Sequence, residues 1–382
     1  MKHIKLALAS TFLSSLLMNG LFAETAQDPI NQISETNLRD ELQPRSASDS
    51  VFKGFTIDGS FLYWNAKVDG YAFADKVKLS GISEGVPTSI KGNLEVESPS
   101  FDTWDPGFQV GLGYIFAARQ QWHTRLSWTR FDTSNSKSVK TDPEDLFIKH
   151  IFPTLSPYLT GPIADKASAK LDLNFNTLDW ELGRQFFIGK WLAFNPKMGL
   201  RAAWINQDFK VKYHSYFPTN DTILSENTSF KANQDFKGIG LKIGSDVEFY
   251  ITKSWSILGN LSTSILAGSI DTKSKIKGLL VIDVGPESFT IPETITIKDS
   301  ANKLRSNLEG QLGIQWQTFF YDNKYRFGCS ALYSFAYWFS QNNMRDELIT
   351  FNPNLSQPLI QESVQNGDLQ IQGLNIKFEF DF

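Results

Sequence analysis

The chain has 382 residues, of which 41% are hydrophobic, 14% aromatic and 20% charged, and its formal net charge is -4. So few charges and so many aromatics exclude a disordered chain, a coiled coil and a collagen-like polymer. Beyond the N-terminus no apolar run is long enough to span a bilayer as a helix, which excludes a helical membrane protein but not one that crosses by alternating strands.

In chain order, Lys2 and Lys5 precede an apolar stretch from Leu6 to Phe22, and Ala23 stands before Glu24. This pattern predicts a secretory signal peptide over residues 1–23, cut after Ala23, with a retained helical anchor as the alternative. Cleavage would remove two lysines and no acid, leaving a more acidic chain. No basic block points to nucleic acid. Cys329 is the only cysteine, so an intramolecular disulfide and CxxC redox or zinc sites are excluded.

Residues 24–50 are polar and read as a periplasmic tail, and residues 51–382 as a transmembrane β-barrel. Period-two alternation begins after Phe52 and recurs in ten segments. The first five are Ile57–Ala66, Phe108–Phe116, Trp122–Trp128, Leu171–Leu182 and Leu192–Trp204. Ile239–Ile251, Trp255–Ile265, Leu308–Trp316, Tyr325–Phe339 and Leu374–Phe382 follow. Ile57–Ala66 is partly apolar on both faces, and Leu171–Leu182 changes phase near Thr177, which predicts a bulge there.

The links alternate in length. Long ones lie near residues 67–105, 132–169, 212–235, 271–302 and 341–367, and short ones near 117–121, 184–190, 252–254 and 321–324. Long extracellular loops and short periplasmic turns are the mark of an antiparallel up-and-down outer-membrane barrel, and ten strands put both termini in the periplasm. Two links, Val77–Glu97 and Leu279–Ile297, have the pattern of hairpins. If they entered the membrane the count would rise to twelve or fourteen; the expectation is that they extend above it. A soluble β-sandwich explains alternation but not this punctuation.

Three stretches carry a family resemblance: GSFLYWNAKVDGYAFA (Gly59–Ala74), PGFQVGLGYIF (Pro106–Phe116) and TLDWELGRQFFIGKWLAFNPKMGLRAAWINQ (Thr177–Gln207). They are similar to the major outer membrane protein-like porins of Legionella and of chlamydia-related bacteria. The resemblance implies an abundant integral outer-membrane β-barrel, usually described as a porin, and marks no catalytic site.

A barrel's function resides in its lumen. On this alternation Arg125, Lys197, Arg201, Lys242, Arg326 and Lys377 face inward, as do Asp179, Glu181, Asp246, Glu248, Glu309, Glu379 and Asp381. The charges suit a water-filled path for small hydrophilic solutes or ions. They equally suit a salt-bridged filling, since eight strands are just filled by side chains and sixteen leave a channel. A surface adhesin acting through the loops is the third reading.

An enzyme is not expected. The histidines after residue 23 are His123, His150 and His214, and neither GxSxG nor HExxH occurs. No cofactor or metal is expected either. Trp204, Trp255, Trp316 and Trp338 read as interfacial anchors, and Cys329 as lipid-facing. Phe378, Phe380 and Phe382 end the chain on one face and resemble the terminal signal read by the barrel-assembly machinery. The expected partners are therefore outer-membrane lipid and lipopolysaccharide, that machinery during biogenesis, and host surfaces through the loops.

Overall fold

The protein is described from a computed structural model. It covers residues 54–78, 82–83, 86–87, 95–99, 103–116, 122–140, 146–150, 163–218, 222–284, 287–321, 324–350 and 359–382. The predicted signal peptide and tail lie outside the described residues.

Ten antiparallel strands form one closed sheet. They are β1 Gly54–Val68, β2 Asp105–Ile115, β3 Trp122–Lys140, β4 Lys166–Arg184, β5 Leu192–Pro218, β6 Thr222–Tyr250, β7 Trp255–Val284, β8 Glu287–Phe320, β9 Tyr325–Thr350 and β10 Leu359–Asp381. Each pairs with its neighbours in sequence, and β1 closes the ring on β10 from Thr56↔Asp381 to Val68↔Leu369. The last residue joins the seam, with Phe55 N–H donating to Phe382 C=O at 2.8 Å and Phe382 N–H to Phe55 C=O at 2.9 Å. A three-residue strand, Phe186–Ile188, adds to β5 beside the turn.

Short turns gather at one end of the barrel. Gly189, with φ +69°, supplies the left-handed residue that the β4–β5 turn requires. At the other end the paired strands run on through much of three of the expected long loops. β5 and β6 stay paired to Pro218↔Ile223, β7 and β8 to Val284↔Glu287, and β9 and β10 to Thr350↔Leu359. Their outer faces carry Lys, Asp and Asn, so hydropathy hid strands that backbone pairing reveals. Leu279–Ile297 therefore extends the wall beyond the apolar belt without adding a crossing. Around Val77–Glu97, Ala74–Lys78 pairs with both Glu95–Glu97 and Leu146–His150 in a small separate sheet.

Two readings need correction. The β4 register runs unbroken through Thr177 against both neighbours, so no bulge occurs there. Leu171, Leu173 and Phe175 point inward on the same face as Asp179 and Glu181. What changes at Thr177 is the polarity of the interior, not the phase of the strand. The irregularity lies instead between Trp338 and Asn342, where Ser340 takes φ +50°. Trp338 stands before that shift, at an inward position opposite Asn307 and Leu369, and is fully buried inside the barrel, so it is not an interfacial anchor.

The outer face is an apolar belt, with Leu241 and Leu312 each 65% exposed in the isolated chain. A soluble surface rarely carries contiguous apolar area on this scale. Rings crowd its short-turn margin: Phe320 and Tyr325 stack at 5.8 Å, and Phe380 stacks on Tyr325 at 6.1 Å. Cys329 sits opposite Trp316 and Phe378 on this outer face. Lipid supplies the missing burial. Ile243→Lys, at mid-belt, should destabilise the folded barrel by about 2–4 kcal/mol, and Phe380→Asp, at the margin, by less. Urea midpoints of the two variants refolded in vesicles check this gradient.

Candidate functional site in the barrel interior

On several strands the inward face switches from polar near the turns to apolar near the long hairpins. On β1, Asp58 and Ser60 give way to Leu62, Trp64 and Ala66; on β5, Lys197 and Arg201 give way to Ala203, Ile205 and Phe209. The interior is therefore layered along the barrel axis.

At the turn end lies a cavity of about 350 Å³. Arg125, Glu181, Lys197, Asp246, Glu248, Arg326, Lys377, Glu379 and Asp381 line it, nine of the thirteen inward charges read from the alternation. Arg326 is paired with Glu379 and Asp381, and Lys377 with Glu379. The Tyr250 hydroxyl donates to Glu248 at 2.9 Å.

The other four, Asp179, Arg201, Lys242 and Glu309, meet at mid-barrel around a cavity of about 100 Å³. Arg201 clamps Asp179 with two hydrogen bonds of 2.7 and 2.6 Å and donates to Glu309 at 2.8 Å. Lys242 lies 2.6 Å from Asp179 and 2.7 Å from Glu181. Lys197 bridges Glu181 at 3.3 Å and Asp246 at 3.0 Å, which ties this layer to the cavity below. Charge-assisted pairing of this kind is what allows charges to be buried at all.

Sequence reasoning missed Asp58, which is 2% exposed and takes two hydrogen bonds from Arg125, at 2.8 and 2.6 Å. Its signal was present, two positions from Ser60 on the inward face, but the strand looked apolar on both sides. Gly111 makes room for the pair, because a Cβ there would stand 2.5 Å from an Asp58 oxygen. Arg305 was missed as well. It points inward and is 6% exposed, and its Nε and Nη2 have no hydrogen-bond partner.

Above the charges lies an apolar core of inward side chains. Trp338 packs against Phe175 at 5.6 Å and lies over Arg201 at 5.9 Å. The segment after β1 dips into this layer: Tyr71 and Phe73 are buried, Tyr71 meets Phe209 at 4.8 Å, and its hydroxyl donates to Gln207 at 3.1 Å. Burial pushes the Tyr71 phenol above its ordinary pKa, and the charge of Asp208 adds to the shift. Of the histidines, His123 Nε2 is 3.2 Å from the Asn195 amide and His214 Nδ1 is 2.9 Å from Asn227 Oδ1. The His150 side chain lies outside the described residues. Phe378, Phe380 and Phe382 are exposed on the outer face.

Comparison with known proteins finds one family. The model of the Legionella pneumophila major outer membrane protein precursor family matches residues 50–382. No curated protein matches in sequence. Among solved structures, the outer membrane protease OmpT of Escherichia coli is 11% identical, covers 86% of this chain and 96% of its own, and has a TM-score of 0.34. A FadL homologue of Pseudomonas aeruginosa is 8% identical over 90% and 95%, with a TM-score of 0.23. The toluene transporter TodX of Pseudomonas putida is 9% identical over 89% and 98%, with a TM-score of 0.24. Likenesses this weak carry nothing about activity.

Removing one partner of a buried charge pair leaves the other uncompensated, at a cost of about 3–5 kcal/mol. Arg201→Met should therefore lower the stability of the folded barrel by about that much, while Lys377→Met at the wetter end should cost less. Thermal midpoints by heat-modifiable gel shift check the order.

Proposed function

Because the chain belongs to the Legionella pneumophila major outer membrane protein family and is an outer-membrane β-barrel, we propose that it works as a barrel closed to solutes at rest, a platform for the hairpins that rise beyond the lipid. One observation supports this reading: large apolar side chains of the wall itself are packed inside the barrel. Phe131, Phe209, Phe236 and Trp338 are among the largest fully buried side chains, and all belong to barrel strands. A water path through that layer would have to displace packed core, each large side chain of which contributes several kcal/mol. Below it most of the inward charges are paired with one another.

Porin-like passive diffusion of small hydrophilic solutes is the second reading. The cavity at the turn end favours it, since charges of both signs line that space as they would a permeation path. For it to hold, the apolar layer would have to move aside. We assign no catalytic role.

Planar-bilayer recording separates the two readings. The folded protein, with folding confirmed by its heat-modifiable gel shift, should give no discrete conductance steps under the closed reading. Reproducible single-channel steps from the same preparation would overturn it in favour of the porin.

A further inference from the structure

Four lysines stand in one rung on the outer face of the barrel. Lys170 of β4 pairs with Lys210 of β5, Lys210 with Lys231 of β6, and Lys231 with Lys275 of β7. All four point away from the interior, on the same faces as Leu178, Leu200, Ile239 and Ile265 of the belt. Adjacent strands are about 4.8 Å apart, so the four backbone positions span about 14 Å. Like charges directly opposite each other weaken a sheet, and here the arrangement repeats across three consecutive strand pairs. Lys170 is paired with Asp172, one outward position lower, at 2.7 Å. Lys210, Lys231 and Lys275 make no ion pair within 4 Å among the described residues. One outward position higher, Lys212 and Lys277 extend the basic surface.

We propose that this rung binds the acidic saccharide headgroup of an outer-leaflet glycolipid, through phosphate or carboxylate groups on its sugars. Charge complementarity explains why the repulsive rung is tolerated, and height identifies the source. On β4 the rung lies eight residues beyond Leu178, the last lipid-facing apolar residue. At about 3.3 Å per residue and a strand tilt of about 40°, that is roughly 20 Å above the acyl region. A phospholipid headgroup layer is only about 5–8 Å thick on each side, so its phosphates stop well short. A lipid with an extended, acidic oligosaccharide reaches. Between the rung and the belt lie Asp132, Asp172, Asp208, Asp235 and Asp271 together with Arg130, Lys237 and Lys273, so charge there is mixed, and the rung is the row in which four neighbouring strands all present a cation. The inference rests on the family assignment with the long hairpins facing outward, and it is independent of whether the lumen conducts.

The test uses the full-length folded protein in neutral detergent, titrated with purified rough lipopolysaccharide, which carries lipid A and a phosphorylated core. Binding is read by native-gel shift. K170Q/K210Q/K231Q/K275Q should bind at least tenfold more weakly and show a flatter dependence on salt, with its heat-modifiable shift retained. K190Q/K253Q, which removes charge at the turn end, should bind as the unmodified protein does. Lipid A without the saccharide should bind at least tenfold more weakly than the rough form. Unchanged affinity in the quadruple variant, or an equal loss in the turn-end control, would overturn the proposal. So would lipid A, anionic phospholipid or soluble heparin binding as tightly as the rough glycolipid. A conductance result of either kind leaves this outcome unaffected, so failure here and failure of the closed-barrel reading are distinguishable.

Discussion

No backbone N–H or C=O can be left unpaired in hydrocarbon, and the rest of this structure depends on that constraint. A sheet meets it only by closing on itself. Here closure is the β1–β10 seam, carried to the last residue by the reciprocal Phe55–Phe382 bonds. Once the ring is closed, each strand must present alternate residues to lipid and to the interior. Every apolar residue spent on the belt obliges the next residue along to find a place inside a narrow cylinder.

Ten strands leave little room in that cylinder, and the chain fills it in two ways. Near the turns the inward residues are charged and cannot be buried singly. They form a connected set in which Arg201, Lys242 and Lys197 each serve two or more carboxylates. Toward the hairpins the inward residues are aromatic and aliphatic and pack as a soluble core would. Gln207 and Gln234 sit within that core joined by a 2.9 Å hydrogen bond, and Tyr71 reaches the same Gln207 oxygen from the entering segment. The barrel thus has two cores, one ionic and one apolar, stacked on a single axis.

The outer surface is graded along the same axis, in the reverse order of polarity. Rings frame the turn end, aliphatic residues occupy mid-belt, and beyond the belt come mixed charges and then a row of lysines. Because the strands continue in register from one zone to the next, a residue's position in the ladder sets the solvent it meets: lipid, headgroup or water. The sheet alignment, more than side-chain chemistry alone, decides which charges become neighbours.

Much of this was legible in the amino-acid order. Strict alternation in segments such as Leu374–Phe382, punctuated by long and short links, specified an all-β barrel of ten strands, and inward parity placed charges such as Asp179 and Arg201 on one face. These are period-two properties, local to each strand, so a linear reading can recover them. What could not be read were relations between strands. Leu171, Leu173 and Phe175 looked like a slip in phase because hydropathy does not say whether an apolar residue faces lipid or another apolar residue inside. Trp338 looked like an anchor for the same reason, and the partner of Asp58 could not be read until β3 brought Arg125 against it. The sequence by itself determined that the chain would alternate and close. Only the tertiary structure decided that an apolar core would stack on an ionic one inside the barrel and that four lysines from four strands would share one rung, because register is fixed jointly by all ten strands and belongs to none of them alone.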